Sequence, residues 1–301
     1  MSLSHEEKVN RVVAQIEELK RSSGPLKIQK NSVSHFVPNP HGRDQASRKV
    51  DIKALDALLE IDTERQIAVA EPGLTFSELV RHALQKKFVP YTVPELKTIT
   101  VGGAVSGCSL ESMSYRYGGF HDSCLEYELV SGEGEVLTCS EQHAPELFEM
   151  MHGSYGTLGI LTKLTFRLLP AKPFVRMTYK TFETFDDFWA YLAERCERGD
   201  HDFVDALLHS PRKMVVCLGD MVETAPYTSS YDWLGVFYKS TANRQEDYLT
   251  TYDYFFRYDT ECHWLSRTVP LLETKPVRFL LGKFVLDRKS TRLNSSHVSQ
   301  S

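Results

Sequence analysis

The stretch "TVGGAVSGCSLES", residues 100–112, places three glycines and three serines in thirteen positions. Chains keep glycine where a side chain would collide or where φ must be positive. Successive N–H groups left bare by such residues make a seat for an anion. The lead-in "PELKTI" (94–99) reads as an approach strand. Val101, Gly102 and Gly103 then read as the bare amides, and Thr100, Ser106, Ser109 and Ser112 as hydroxyl donors. Gly102 and Gly107 have the G-x-x-x-x-G spacing of a P-loop, but Cys108-Ser109 follows where Lys-Ser/Thr must reach the β and γ phosphates. A nucleoside-triphosphate site is therefore disfavoured. The fingerprint G-x-G-x-x-G is absent here, and "GSYGTLG" (153–159) has G-x-x-G-x-x-G instead, which disfavours a Rossmann-type dinucleotide site.

The length of 301 residues allows two domains or one large one. A net charge of -5 gives no basic face for nucleic acid. No apolar run reaches the roughly 18 residues of a membrane-spanning helix, and "MSLSHEEKVN" is too charged for a signal peptide, so the sequence reads as cytoplasmic. The six cysteines form no C-x-x-C pair, which argues against structural zinc and a disulfide scaffold. There is no H-E-x-x-H, and "HDFVDALLH" (201–209) has the wrong spacing for a helical zinc pair, so no metal site is expected.

Along the chain, Ser4 and Glu7 form a capping-box pattern ahead of a helix over 4–21, whose apolar face is Val9, Val12, Val13, Ile16 and Leu19. "PLKIQK" (25–30) and "QIAVAEPG" (66–73) read as strands, the second ended by Pro72-Gly73. Thr75 and Glu78 box another helix start. "LEYELVSGEGEVLTCS" (125–140) reads as a hairpin, and the alternation in the second half of 153–170 as a strand ended by Pro170. The texture changes near 171, which sets the expected domain boundary.

Four segments in order, "AVAEPG" (68–73), "TVGGAVSG" (100–107), "YRYGGFHDSCLEYELVSGEGEVL" (115–137) and "GSYGTLGILTKLTFRLLP" (153–170), resemble the FAD-binding domain of the vanillyl-alcohol-oxidase/p-cresol-methylhydroxylase family. Within it, "PELKTITVGG", "SLESMSYRYGGF", "TLGILTKLTFRLLPAKPFVRMTY", "DYFFRYDTECHWL" and "VRFLLGKFV" are most similar to the Δ24-sterol reductase (diminuto) branch, extending the resemblance to about residue 285.

The resemblance implies an α+β fold. Its PCMH-type FAD-binding domain would span 1–171, as α/β lobes of about 1–95 and 96–171, with an incomplete substrate domain over 172–286. The Thr100–Ser112 loop, including Gly107 and Glu111, would hold the FAD pyrophosphate and ribityl chain. The Glu71-Pro72-Gly73 corner would lie close to the flavin, with Tyr117, Gly118 and Asp122 beside the cofactor and Gly159-Ile160 at its adenine end. The family's first phosphate loop, Arg/Lys followed by a Gly-rich run, is here "KNSVSHFVPNP" (30–40), without glycine but with Ser32 and Ser34 as donors. Some members attach the flavin through a histidine in this loop, where His35 stands, but the branch resembled here binds FAD without a covalent bond.

The implied activity is reduction of a C=C bond in a small hydrophobic, sterol-like or isoprenoid substrate, with NADPH reloading the flavin. Tyr115, Tyr117 and His121 are the candidate proton donors. The alternatives are an alcohol or lactone oxidase or dehydrogenase, and an inactive FAD-fold binding module or fragment. Residues 287–297, "DRKSTRLNSSH", match a translated sequencing-library adapter, so 287–301 is expected to be a non-native tail. The genomic reading frame should therefore diverge after Leu286; a frame that stops directly after Ser301 would contradict this.

Overall fold

The computed structural model describes residues 3–21, 26–31, 48–232, 234–259, 271 and 274–281. Helix α1 (His5–Leu19) opens with the reciprocal box read from the sequence: Ser4 Oγ accepts from Glu7 N, and Glu7 Oε2 accepts from Ser4 N at 2.7 Å. Its Val9, Val12 and Ile16 pack on Val50, Ile52, Leu55, Val130 and Ile160. Beneath it, β1 (Leu26–Gln29) and β2 (Arg48–Asp51) form a parallel pair.

An antiparallel sheet follows, ordered β3 (Leu58–Asp62), β4 (Ile67–Ala70), β8 (Ile160–Pro170), β6 (Cys124–Val130) and β7 (Val136–Ser140). The short β5 (Phe88–Pro90) pairs with the far end of β8. The expected division of lobes near residue 95 is not where the chain changes sheet. Strands β3 and β4 pair through β8 into the same sheet as β6 and β7, so the change falls between β2 and β3.

Between the strands lie α2 (Phe76–Gln85), α3 (Val101–Ser106), α4 (Ser114–Tyr117) and α5 (Pro145–Met151). Thr75 caps α2 by accepting from Glu78 N. The lead-in 94–99 is not a strand: Ile99 N bonds back to Leu96 O in a turn, and only Thr100 bridges, to Thr75.

After Pro170 the chain enters a second antiparallel sheet, ordered β10 (Phe203–Ser210), β11 (Lys213–Val222), β9 (Phe174–Phe182) and β12 (Glu246–Thr250). Helix α6 (Phe185–Arg198) covers one face through Phe188, packed with Val204, Met214, Val216 and Leu218. The other face, with Val175, Met177, Phe203 and Val215, joins the apolar cluster that also holds Phe76, Phe120 and Phe166. One continuous core thus spans both sheets.

Helix α1 is pinned to the first sheet by charge as well. Glu71, fully buried, receives Lys8 Nζ at 2.7 Å, Ala57 N at 2.8 Å and His5 Nδ1 at 2.8 Å. The other ring nitrogen of His5 meets Glu128 at 2.9 Å, and Glu128 also binds Lys163 and Thr162. Burial pushes the Glu128 pKa up, but the hydrogen bonds from Lys163, His5 and Thr162 outweigh it and hold the carboxyl below its ordinary 4.5.

Glu71→Ala strands the two cations and should lower unfolding free energy by about 3–5 kcal/mol in denaturant titration. A depressed carboxylate contributes stability that is present above its unfolded-state pKa and is lost as pH falls through the folded value. Stability should therefore decline on the acid side of 4.5, and Glu128→Gln should flatten that decline; an unchanged acid limb in the variant would contradict the assignment.

Candidate cofactor site

The segment 100–122 carries most of the expected site residues, and the fold divides it among three surroundings. Its first part, Thr100–Ser109, contains α3 and seats on the Glu71-Pro72-Gly73 corner. Gly102 lacks a side chain for a steric reason: a Cβ there would stand 2.5 Å from Pro72 Cβ. Gly73 is constrained likewise, because its Cβ would meet Leu55 O at 2.5 Å.

The amides of this part are not bare, which corrects the sequence expectation. Val101 N donates to Leu74 O at 3.0 Å, Gly102 N to Pro72 O at 3.0 Å, and Gly103 N to the capping Thr100 Oγ1 at 3.3 Å. Gly107 N bonds to Gly103 O, and Ser109 N to Ala104 O. The helix start is satisfied by the protein itself, so an anion must be met by side chains.

Such side chains are present. Lys30, at the end of β1, has no anionic partner among the described residues, and burial alone holds its pKa below the ordinary lysine value. A Cβ on Gly103 would lie 4.0 Å from Lys30 Nζ, so the bare face of Gly103 lets the ammonium approach α3. The loop 153–157 hooks onto the other end of α3 through Gly153 N to Val105 O and Tyr155 N to Ser106 O. In that loop Ser154 Oγ is buried without a hydrogen-bond partner. An unpaired cation and an orphaned buried hydroxyl flanking one helix fit a bound oxyanion, as a dinucleotide pyrophosphate requires. Neither Lys30 nor Ser154 was singled out from the sequence. The lysine opening the "KNSVSH" segment was the available signal, whereas Ser154 is one serine among many until the loop closes on α3.

The middle part, Glu111–Arg116, faces the second sheet. Ser112 O accepts from Val204 N at 3.0 Å, and Ser112 Oγ pairs with Tyr254 OH at 2.9 Å. The Glu111 carboxylate accepts from Glu95 N at 3.2 Å. Tyr115 OH donates to His201 O, and Arg116 reaches the carbonyls of Gly199 and His201. Tyr115 therefore commits its proton to the backbone, and the expectation that it presents a proton to a substrate is corrected.

The last part, Tyr117–Asp122, lies over the residues after β5. Tyr117 packs on Tyr91 at 4.8 Å between ring centroids, and Gly118 O accepts from Thr92 Oγ1. Gly118 has φ +74°, and any Cβ would strike the Asp122 carboxylate, which accepts from Gly119 N at 2.7 Å. His121 Nε2 stands 3.5 Å from Asp122, while its Nδ1 is buried without a partner. The ring lies 5.0 Å from that of His152, whose pKa is lowered by burial and by the neighbouring His121.

Gly159 and Ile160 stand apart from these groups, beside β1 and α1. A Gly159 Cβ would crowd Leu129 and Val130 O, and Ile160 pairs with Val130 and packs under α1. Ser32, Ser34 and His35 lie outside the described residues. Five cysteines are free thiols. Burial pushes Cys124 up to about 12 and Cys139 up to about 11, so neither is an activated nucleophile. Among the described residues no acidic, histidine or cysteine group can hold a metal, and no helix is long and apolar enough to cross a membrane.

Gly102→Ala tests the seating of α3. Overpacking against Pro72 should destabilise the protein by about 1–3 kcal/mol in thermal or denaturant unfolding, and a neutral effect would contradict the close approach.

Residues 7–140 match the family model described as an FAD binding domain. The chain is similar to Delta(24)-sterol reductase of Homo sapiens, 29% identical over 250 residues that cover 79% of this chain and 48% of the human protein. It is similar to the Pisum sativum Delta(24)-sterol reductase at 27% over 305 residues, covering 92% of this chain and 54% of the pea protein. Cytokinin dehydrogenase 2 of Oryza sativa subsp. japonica is 27% identical over 156 residues, covering 49% of this chain and 27% of that enzyme. The chain spans about half the length of the sterol reductases it matches. It thus carries an FAD binding domain and stands near the Δ24-sterol reductase branch of the vanillyl-alcohol-oxidase/p-cresol-methylhydroxylase type of flavoprotein.

Proposed function

We propose that the protein is an FAD-dependent oxidoreductase that reduces a C=C bond of a sterol-like or isoprenoid substrate, with NADPH as electron donor. One observation carries the reading: similarity to the sterol reductases extends well beyond the FAD binding domain, to 92% of this chain for the pea enzyme, and so includes the second sheet. The match to cytokinin dehydrogenase covers only 49% of the chain and does not favour an oxidase or dehydrogenase over a reductase.

In this reading residues 1–171 hold FAD, and 172–286 supply part of a substrate domain. Bound FAD contributes a carbon-to-N5 hydride transfer centre. Lys30 neutralises pyrophosphate charge beside α3, with Ser32 and Ser34 continuing from it, and Ser154, Ser106 and Ser109 donate hydroxyls from the flanking loops. Pro72, Gly73 and the side-chain-free Gly102 and Gly103 keep the approach to the cofactor narrow. Tyr117, Gly118 and Asp122 line its flavin end, while Gly159 and Ile160 back its adenine end. Hydride addition to an isolated double bond needs a proton for the opposite carbon. His121 is the candidate: Asp122 stands 3.5 Å from its Nε2, and Nδ1 has no partner.

Anaerobic mixing of the FAD-loaded protein with NADPH should bleach the long-wavelength flavin band; an unbleached flavin would overturn the reductase reading. Lys30→Met should weaken FAD binding by roughly 10–100-fold in a fluorescence titration, the worth of a charge-assisted hydrogen bond.

A further inference from the structure

Glu111 lies where the Gly-rich segment meets the second sheet, among charges that already balance without it. Arg257, 3% exposed, gives Nη2 to Asp205 Oδ2 at 2.7 Å and Nη1 to Tyr254 O at 2.8 Å. Arg257 Nε and Asp205 Oδ1 are buried without hydrogen-bond partners. Three rings surround the guanidinium, Tyr254 at 4.1 Å, Tyr258 at 4.7 Å and Phe237 at 5.2 Å, and shield it from water. The groups facing Glu111 are Arg257 and Tyr254 on the chain after β12, Asp205 on β10 and Glu95 on the lead-in turn. Cys217 on β11 bonds to Asp205, and Lys97 is engaged with Asp259. One buried cation and one buried anion are already paired, so an ionised Glu111 would leave a net negative charge in a dry site.

We propose that Glu111 is a neutral carboxylic acid at neutral pH and is the positioning residue that docks segment 109–118 onto the second sheet. Its contact to Glu95 N fixes the lead-in turn, and the adjoining Ser112 makes the two bonds to Val204 and Tyr254. Ionisation at this hinge drives the segment outward to hydrate the charge, and the Ser112–Val204 bond is the first to loosen. Burial lifts the Glu111 pKa to about 7, with Arg257 pulling it down and Asp205 raising it again. A carboxyl raised in the folded state contributes stability that is complete below its unfolded-state pKa and is lost as pH rises through the folded value, here about 7. The protonation of Glu111 is independent of the flavin reading, whereas its bearing on cofactor geometry rests on it.

The test uses the full chain with FAD added, as wild type and Glu111→Gln, from about pH 5.5 to 8.5 across the expected titration. Wild type should lose roughly 5 °C of Tm as pH rises through neutrality, and the glutamine variant should lack that step. Exchange of the Val204 amide should be several-fold faster in wild type than in the variant at the alkaline end and equal at the acid end. An infrared band of a protonated carboxyl, present in wild type at low pH, should be absent in the variant. The proposal is overturned if both proteins share one pH profile. If the variant does not fold, absence of a pH-dependent protonated-carboxyl band in wild type overturns it. If neither protein binds FAD, the flavin reading fails while the exchange and infrared results still decide the role of Glu111.

Discussion

The contact between the bare face of Gly102 and the ring of Pro72 governs the arrangement of the first domain. A Cβ at 102 would stand 2.5 Å from Pro72 Cβ, so α3 can reach the corner only as glycine backbone. Once there, the carbonyls of Pro72 and Leu74 satisfy the first amides of the helix. The same corner is fixed from behind by Glu71, whose carboxylate ties it to α1. Strand β4, helix α1 and helix α3 are thereby held by three consecutive residues. The loop after α5 docks on the far end of α3, so the helix becomes the common wall of everything around it.

From that wall the chain runs directly into the second sheet. Ser112, Tyr115 and Arg116 each bond to backbone or side chains of the segments around β10 and α8 (Thr251–Phe255). The two sheets also share one apolar cluster. The proposed cofactor seat and the proposed substrate side are therefore not hinged on a loose linker: they are joined by a short peptide with few free polar groups. A charge placed in that joint, at Glu111, would be felt on both sides.

Much of the local structure was legible because it is written in short-range chemistry. The Ser4–Glu7 box, the Thr75 cap, the hairpin of β6 and β7 and the alternation along β8 depend on residues a few positions apart. What escaped was decided by partners far away in sequence. The lead-in 94–99 has the texture of a strand, but Glu111 and Asp259 hold it as a turn through the amides of Glu95 and Lys97. The lobe division misled because β3 and β4 find their neighbour in β8, about 100 residues on. Glycine content correctly marked α3 as a place of close approach. It could not say that the close approach is made by Pro72 on one side and by the Lys30 ammonium on the other, nor that the amides would be consumed. The hydroxyl of Tyr115 was likewise indistinguishable from a free donor until His201 came beside it.

The account's central claim is that Lys30 and the loops flanking α3 hold a dinucleotide by its pyrophosphate. The most direct measurement compares binding of FAD and of riboflavin, which has the same ring but no phosphate, to the flavin-free protein. The account predicts that FAD binds at least about tenfold more tightly, the worth of one charge-assisted contact. Equal affinity for the two, or no binding of either, would contradict it.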